Sequence, residues 1–316
     1  MGTEVMKFPT VYRISKLSET REGETVKVDD TNFVVGEKAV EGGIPVRDVN
    51  TLITSYPILV KEAFRRLGKK EEKVGVSLPV EVLWRDTKKE GKPLTTQLQN
   101  LVREKAGVKE VKVLPQGTAG FLWAIKNKQL GRKPTVVIDG GFNTINISLI
   151  EPKEQGGFRL VFGVSLMDSG VRKLINQYFS DALREKYPDI PSDEQILNSL
   201  FIRGKMRIGG KLINAVEERE LAKKSYLSAF LPKVESALAS ASLSADYEQI
   251  LVIGGISHYI DKQSIEQTAF AEGCSVYVAE KDGEFYNALG MLAMMGMSGI
   301  AVDGGFGHTK VAWISD

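Results

Sequence analysis

The chain has 316 residues, 42% of them hydrophobic, which suits two ordinary cores better than one. Its 42 basic and 40 acidic residues nearly balance, so no general electrostatic pull toward nucleic acid or an anionic membrane is expected. The single cysteine, Cys274, excludes an internal disulfide and lacks metal-ligand spacing; it reads as a small buried apolar residue.

The opening MGTEVMKFPT lacks the two halves of a signal peptide, and the longest apolar stretch, NALGMLAMMGMSGIAV, is cut by glycines and a serine. A soluble, cytoplasmic protein is expected. From Glu4 to Val35 short extended runs are broken by polar turns. LITSYPILVKEAFRRLG predicts a helix with Pro57 in its first turn and Gly68 at its end. KVGVSLPVEV predicts a strand, TTQLQNLVREKAG a helix, and VKEVKVLPQGTAG a strand running into a glycine turn. TVVIDGGFNTINISLIE predicts a strand, a turn and a second strand, and FRLVFGVSLMDSGVRKLINQYFSDAL leads into a helix that Asp168 and Ser169 are suited to cap. Ser192 to Ala241 is helical in period except at GKMRIGGKLI. QILVIGGISHYID then reads as a buried strand, a Gly-Gly turn and a helix, followed by the strand GCSVYVAE, the helix EFYNALGMLAMMG and a closing hairpin, AVDGGFGHTKVAWISD. Alternating strands and helices predict an α/β protein. The boundaries are expected near residues 135 and 283, giving a domain I of 1–135 completed by 284–316 and a domain II of 136–283. The run RRLGKKEEK mixes both signs and reads as a solvated helix end.

The chain also repeats itself. VIDGGFNTINIS, at 137–148, aligns without gaps on AVDGGFGHTKVA, at 301–312. Paired hairpins of this kind point to duplicated halves facing one another. Glycine leaves no Cβ in the way, so consecutive amides can close on a phosphate. Asp139 and Asp303 each end an apolar strand, and a hydrated Mg²⁺ between them would neutralise both; that ion keeps several waters and takes one or two carboxylates together with substrate phosphates. Lys310 in the second copy stands where the first has Asn146, so one hairpin carries a phosphate-reaching cation that the other lacks. LVIGGIS supplies a third glycine turn at a strand end. Gln116, in VLPQGTAG, is placed to orient a water for attack on phosphorus. His258 and His308 have no partner of the kind acid/base catalysis needs and stay outside the catalytic set.

Together these stretches resemble the nucleotide site of the actin superfamily, and within it the bacterial and archaeal actin-like proteins typified by the plasmid-segregation filament protein ParM. AVDGGFGHTK is similar to the first phosphate motif, VVIDGGFNT to the second, LVIGGIS to the adenosine motif and VSLMDSGVRKLI to the segment connecting the last two. The resemblance implies an actin-like, ribonuclease H-like duplicated two-domain ATPase fold with a nucleotide cleft between the domains. It implies ATP or GTP with Mg²⁺ as cofactors, Asp303 and Asp139 holding the metal through water, and Gln116 acting with them in catalysis. Nucleotide contacts fall to Gly304, Gly305, Phe306, Gly307 and Lys310 in the first motif and to Gly140, Gly141, Phe142 and Asn143 in the second. Asp168 and Gly170 follow from the connecting segment, Gly254, Gly255 and Ile256 from the adenosine motif, and Arg203 and Lys205 from the base pocket expected around FIRGK.

The family's chains begin with the first phosphate motif, whereas this one ends with it. Moving residues 298–316 to the front restores the family order; the joined ends read ISDGTEV, an Asp-Gly hairpin signal, with Met1 as a new start and Met297 as a former one. A circularly permuted chain is therefore expected. The implied activity is nucleoside triphosphate hydrolysis coupled to head-to-tail filament assembly, for plasmid segregation or related positioning, with an adaptor bound to a centromere-like DNA site as partner and no direct contact to DNA or membrane. A small-molecule kinase of the same fold and a non-hydrolysing assembly scaffold remain the alternatives.

Overall fold

A computed structural model describes residues 2–16, 23–86, 93–240 and 246–315. Met1, Ala241 and Asp316, which the sequence readings touch, lie outside the described residues. In chain order the first elements are β1 (Gly2–Pro9), β2 (Val11–Ile14), β3 (Val26–Val28), β4 (Thr31–Val35), β5 (Ile44–Pro45), α1 (Val49–Leu67), β6 (Lys73–Leu78), α2 (Val80–Asp86), α3 (Leu94–Ala106), β7 (Glu110–Pro115) and α4 (Thr118–Lys126). Next come β8 (Thr135–Gly140), β9 (Ile145–Pro152), β10 (Phe158–Leu166), α5 (Val171–Lys173), a π-helical turn at Leu174–Phe179, α6 (Ser180–Lys186), α7 (Glu194–Arg203), β11 (Lys205–Ile208), β12 (Lys211–Asn214) and α8 (Val216–Ser240). The chain closes with β13 (Gln249–Gly254), α9 (Lys262–Glu266), β14 (Ser275–Val278), α10 (Tyr286–Met294), β15 (Ile300–Gly304) and β16 (His308–Ser315).

Two compact units result. Unit 1 comprises Met1–Arg132, Gly163–Ser165 and Glu284–Asp316; unit 2 comprises Lys133–Phe162 and Leu166–Gly283. Unit 1 holds a five-stranded sheet in the order β1-β16-β15-β6-β7 and a small sheet β3-β4-β2-β5; the other five-stranded sheet runs β10-β9-β8-β13-β14, with β11-β12 as a separate hairpin. The two large sheets share one plan. In one, β15 pairs antiparallel with β16 and parallel with β6, which pairs parallel with β7. In the other, β8 pairs antiparallel with β9 and parallel with β13, which pairs parallel with β14. The repeat seen in sequence thus occupies equivalent strands.

In unit 1 the alternation of β15 divides two cores. Ile300 and Val302 face the cluster built with Leu52, Leu59, Val60 and Ala63 of α1 and Leu98 and Val102 of α3, while Ala301 faces Leu289, Met291 and Leu292 of α10 and Ala119 of α4. Each fully buried aliphatic side chain of this kind contributes roughly 1.5–3 kcal/mol. Helix α10 lies so close on α4 that a Cβ on Gly290 would stand 1.8 Å from the Ala119 carbonyl oxygen. Gly290→Ala is accordingly expected to cost about 3 kcal/mol, because only backbone is there to yield; urea unfolding measures it, and a loss well below 1 kcal/mol would mean that α10 slides freely.

Three local expectations are corrected. Helix α1 begins earlier than predicted because Asp48 caps it, accepting from the Thr51 amide at 2.9 Å and the Thr51 hydroxyl at 2.6 Å, so Pro57 lies well inside the helix rather than in its first turn. There it leaves the Ile53 carbonyl without its usual amide. The strand ends at Leu78, and VEV opens α2, because Pro79 cannot extend a ladder and suits a helix start. Neither Asp168 nor Ser169 caps the following helix. Gly170 occupies the cap position, the Ser169 hydroxyl donates to the Met167 carbonyl, and Asp168 takes a left-handed backbone at φ 50°.

Candidate functional site

The unit 1 turn grows from the end of β15. Asp303 is 2% exposed. Its Oδ1 accepts from the Ser77 hydroxyl at 2.6 Å and the Gln116 side-chain amide at 3.1 Å; that amide also reaches the Gly304 carbonyl at 3.0 Å. Lys310 Nζ stands 4.0 Å from Asp303 Oδ2, since strand register sets Asp303 opposite Lys310. Gly304 is a steric requirement: a Cβ there would lie 2.9 Å from both Leu52 Cδ1 and the Tyr56 hydroxyl oxygen. That buried hydroxyl accepts from the Gly304 amide at 3.1 Å, and burial together with the Asp303 charge pushes its acidity far below that of an ordinary phenol, so it remains a neutral donor. The turn is closed by Gly305 N donating to His308 O at 3.2 Å and is tied to the chain's start by Thr10 N donating to Gly307 O at 3.0 Å. Phe306 packs on the α1 core.

Gln116 is held in place by β7 and the start of α4. Two amides at the start of α4 are tied to α10: Gly117 N, at the cap position, and Gly120 N both donate to Asn287 Oδ1, at 2.8 and 3.2 Å. The Asn287 side chain thus serves this helix end as a cap supplied from α10.

The unit 2 turn follows the same plan with different supports. Asp139, 5% exposed, ends β8, and its Oδ1 lies where a Cβ on Gly254 would come within 2.6 Å. Gly140 presses on Ile256, whose Cγ2 would stand 2.3 Å from a Cβ, and Gly254 has φ 80° with its α-carbon against the Gly140 carbonyl. Gly255 lies beside them, a Cβ there standing 3.7 Å from that same oxygen. The LVIGGIS turn and the second DGGF turn are thus in contact within one unit. Gly141 N donates to Thr144 O at 2.8 Å. The carbonyls of Gly141, Phe142 and Asn143 accept from Val171 N, Arg172 N and the amides of Ser169 and Gly170, so the connecting segment braces the turn from behind. A Cβ on Gly170 would meet the Gly141 and Phe142 carbonyl oxygens at 2.5 Å. The buried Tyr226 hydroxyl fixes this segment by donating to Ser169 O at 2.6 Å.

Among the described residues, Phe306 and Gly307 in one turn and Phe142 and Asn143 in the other have backbone amides that donate to no protein group. Two adjacent unused donors at equivalent places suit an anion. Beside the unit 2 turn, Asn143, Asp168, Arg172, Lys173, Asn176 and Gln177 line a recess of about 260 Å³. Arg203 closes α7 and Lys205 opens β11; both are exposed and neither lines that recess. No group of three or more His, Cys, Asp or Glu among the described residues could cage a metal. A single carboxylate with one oxygen open matches instead a cation that keeps its waters, as Mg²⁺ does.

Sequence reasoning did not reach Ser77, Tyr56 or Asn287. Ser77 and Asp303 are distant in the chain and meet because β6 and β15 run in parallel with Val76 opposite Val302. No local pattern reports such a register.

Solved structures give the comparison. The archaeal actin homolog Ta0583 superposes with a TM-score of 0.68 at 17% identity, covering 91% of each chain. A ParM from a filament of Clostridium botulinum gives 0.59 at 18% identity over 91% of each chain, and the actin-like protein Alp7A 0.58 at 16% identity over 91% of this chain and 89% of its own. The chain has the actin-like fold. No family model and no curated protein sequence matches it. Ta0583 has also been solved in complex with ADP, and that structure superposes at 0.64 with 16% identity over 92% of each chain. The actin-like fold was the expectation drawn from the two DGGF motifs together with the LVIGGIS and VSLMDSGVRKLI stretches, and the comparison bears it out. Among the described residues no helix is long and apolar enough to cross a membrane.

Proposed function

We propose that the chain is an actin-like nucleoside triphosphatase that binds ATP or GTP with Mg²⁺, hydrolyses it, and assembles head to tail into filaments. One observation carries the reading. The same Asp-Gly-Gly-Phe turn ends the equivalent strand of both large sheets, each time with a buried carboxylate and two unused amides. Asp303 and Lys310 from unit 1, and Asp139 from unit 2, are assigned to the triphosphate and its hydrated cation, and Gln116 to the attacking water. Gly254, Gly255 and Ile256 are assigned to the nucleoside. Mg²⁺, when bound, supplies charge neutralisation at the transferring phosphate. The residues around it position and exclude water.

Filament assembly comes from the neighbours, one of which is a ParM solved as a 15-stranded filament. A heterologous contact that does not close on itself builds an open filament. Plasmid or cargo positioning through a DNA-bound adaptor is the extension of that reading. We also propose that the chain is circularly permuted, and its own second half supports this: β8, β9 and β10 follow one another in unit 2, whereas their equivalents in unit 1 are β15, β16 and β1, with Gly2 paired to Ser315.

Light scattering and electron microscopy after addition of ATP or GTP with Mg²⁺, alongside phosphate release, test the proposal. Scattering that rises above a threshold protein concentration, with release following it, is expected. A chain that binds neither nucleotide overturns it; binding without turnover favours a scaffold, and ADP release that depends on an added sugar favours a kinase.

A further inference from the structure

Asp303 is held asymmetrically. Both hydrogen bonds from side chains, Ser77 at 2.6 Å and Gln116 at 3.1 Å, go to Oδ1, while Oδ2 meets only the Lys310 ammonium at 4.0 Å among the described residues. A carboxylate accepts and does not donate, so the Ser77 proton points at Asp303. Ser77 is itself fixed. The Tyr56 hydroxyl donates its one proton to the Ser77 carbonyl, accepts from the Ser77 amide at 3.2 Å and the Gly304 amide at 3.1 Å, and lies 3.1 Å from the Ser77 hydroxyl oxygen. Ser77 and Tyr56 are both fully buried. Among the described residues the Ser77 hydroxyl meets this carboxylate, the Gln116 amide 3.3 Å away and the Tyr56 hydroxyl 3.1 Å away, and of these only the carboxylate must take its proton.

We propose that Ser77 is a positioning residue for Asp303: locked by Tyr56, its hydroxyl pins Oδ1 and leaves Oδ2 as the oxygen offered to the hydrated cation of a bound nucleotide. The inference rests on the nucleotide reading above and adds to it a residue that the motifs do not contain. The terminal torsion of an aspartate is broad, so a carboxylate held by Gln116 alone samples orientations in which neither oxygen is presented squarely. A single strong charge-assisted bond sets the scale of the loss.

The test uses the full chain and a fluorescent ATP analogue, titrated with Mg²⁺ and, separately, in EDTA. Ser77→Ala is expected to raise the Mg²⁺ concentration for half-maximal binding about tenfold, the scale of one hydrogen bond to a charged group. Affinity in EDTA is expected to stay within about twofold of the parent, because uncomplexed nucleotide does not use Oδ2. A merely structural role would weaken both. Ser77→Thr, which keeps the hydroxyl, is expected to recover the Mg²⁺ midpoint. Should Ser77→Ala fail to fold, Tyr56→Phe carries the test, since it keeps the Ser77 hydroxyl but releases its backbone, and a smaller shift in the same direction is expected. An unchanged Mg²⁺ midpoint in a variant that binds nucleotide overturns the role of Ser77 and leaves the nucleotide reading standing. A parent chain that binds no nucleotide sinks that reading, and this inference with it.

Discussion

Replacing Asp139 by asparagine is expected to cut phosphate release from Mg²⁺-ATP by roughly 10²- to 10³-fold, the scale on which removing one preorganised electrostatic group acts. The fold should survive. Asp139 sits at the end of β8 with its side chain against the Gly254 α-carbon, and asparagine preserves that shape while discarding the charge. Because the loss is electrostatic, raising Mg²⁺ should recover only part of the rate. Single-turnover phosphate release, read beside circular dichroism, checks the prediction; undiminished release from a folded variant would remove Asp139 from the chemistry.

Glu62→Ala is expected to lose about 3–5 kcal/mol of stability, as when one partner of a buried ionic network is removed. Glu62 is 1% exposed, and its carboxylate takes both Nε and Nη2 of Arg65, at 2.8 and 2.7 Å, together with Nε of Arg66 at 2.7 Å. Without it two guanidinium groups lose a shared acceptor at the end of α1. Arg66 keeps Glu37 and the face of the Phe8 ring, 4.6 Å from its centre, but among the described residues Arg65 keeps only the Gly23 carbonyl, a neutral oxygen. For a domain of this size the expected drop in melting temperature is roughly 10 °C. The control is Glu72→Gln, which breaks an exposed pair with Lys109 and is expected to cost under about 1 kcal/mol. Equal melting temperatures for the two variants would show that the Glu62 network contributes no more than a surface pair.

The fold was legible where the chain repeats or alternates. Apolar strands ending in DGGF announced both large sheets, and Gly68 and Gly107, each left-handed, closed α1 and α3 where the periodicity stopped. The errors arose where one residue type serves two masters. Pro57 marks a helix start in isolation, yet the Asp48 cap set the boundary; Asp168 reads as a cap, yet the chain needed its backbone for a left-handed bend. The acidic and glycine members of the candidate site were visible because they are consecutive. Ser77, Tyr56 and Asn287 were not, because they act on residues 170 to 248 positions away through strand register and helix packing.

Asn287 ties the start of α4 to α10, and the residue just before that tie, Gln116, grips Asp303. Carboxylate, glutamine, glycine amide and asparagine form a continuous linkage. Hydrogen exchange at the amides of α10, compared with and without nucleotide, is the measurement that reads whether a displacement of Asp303 travels along it.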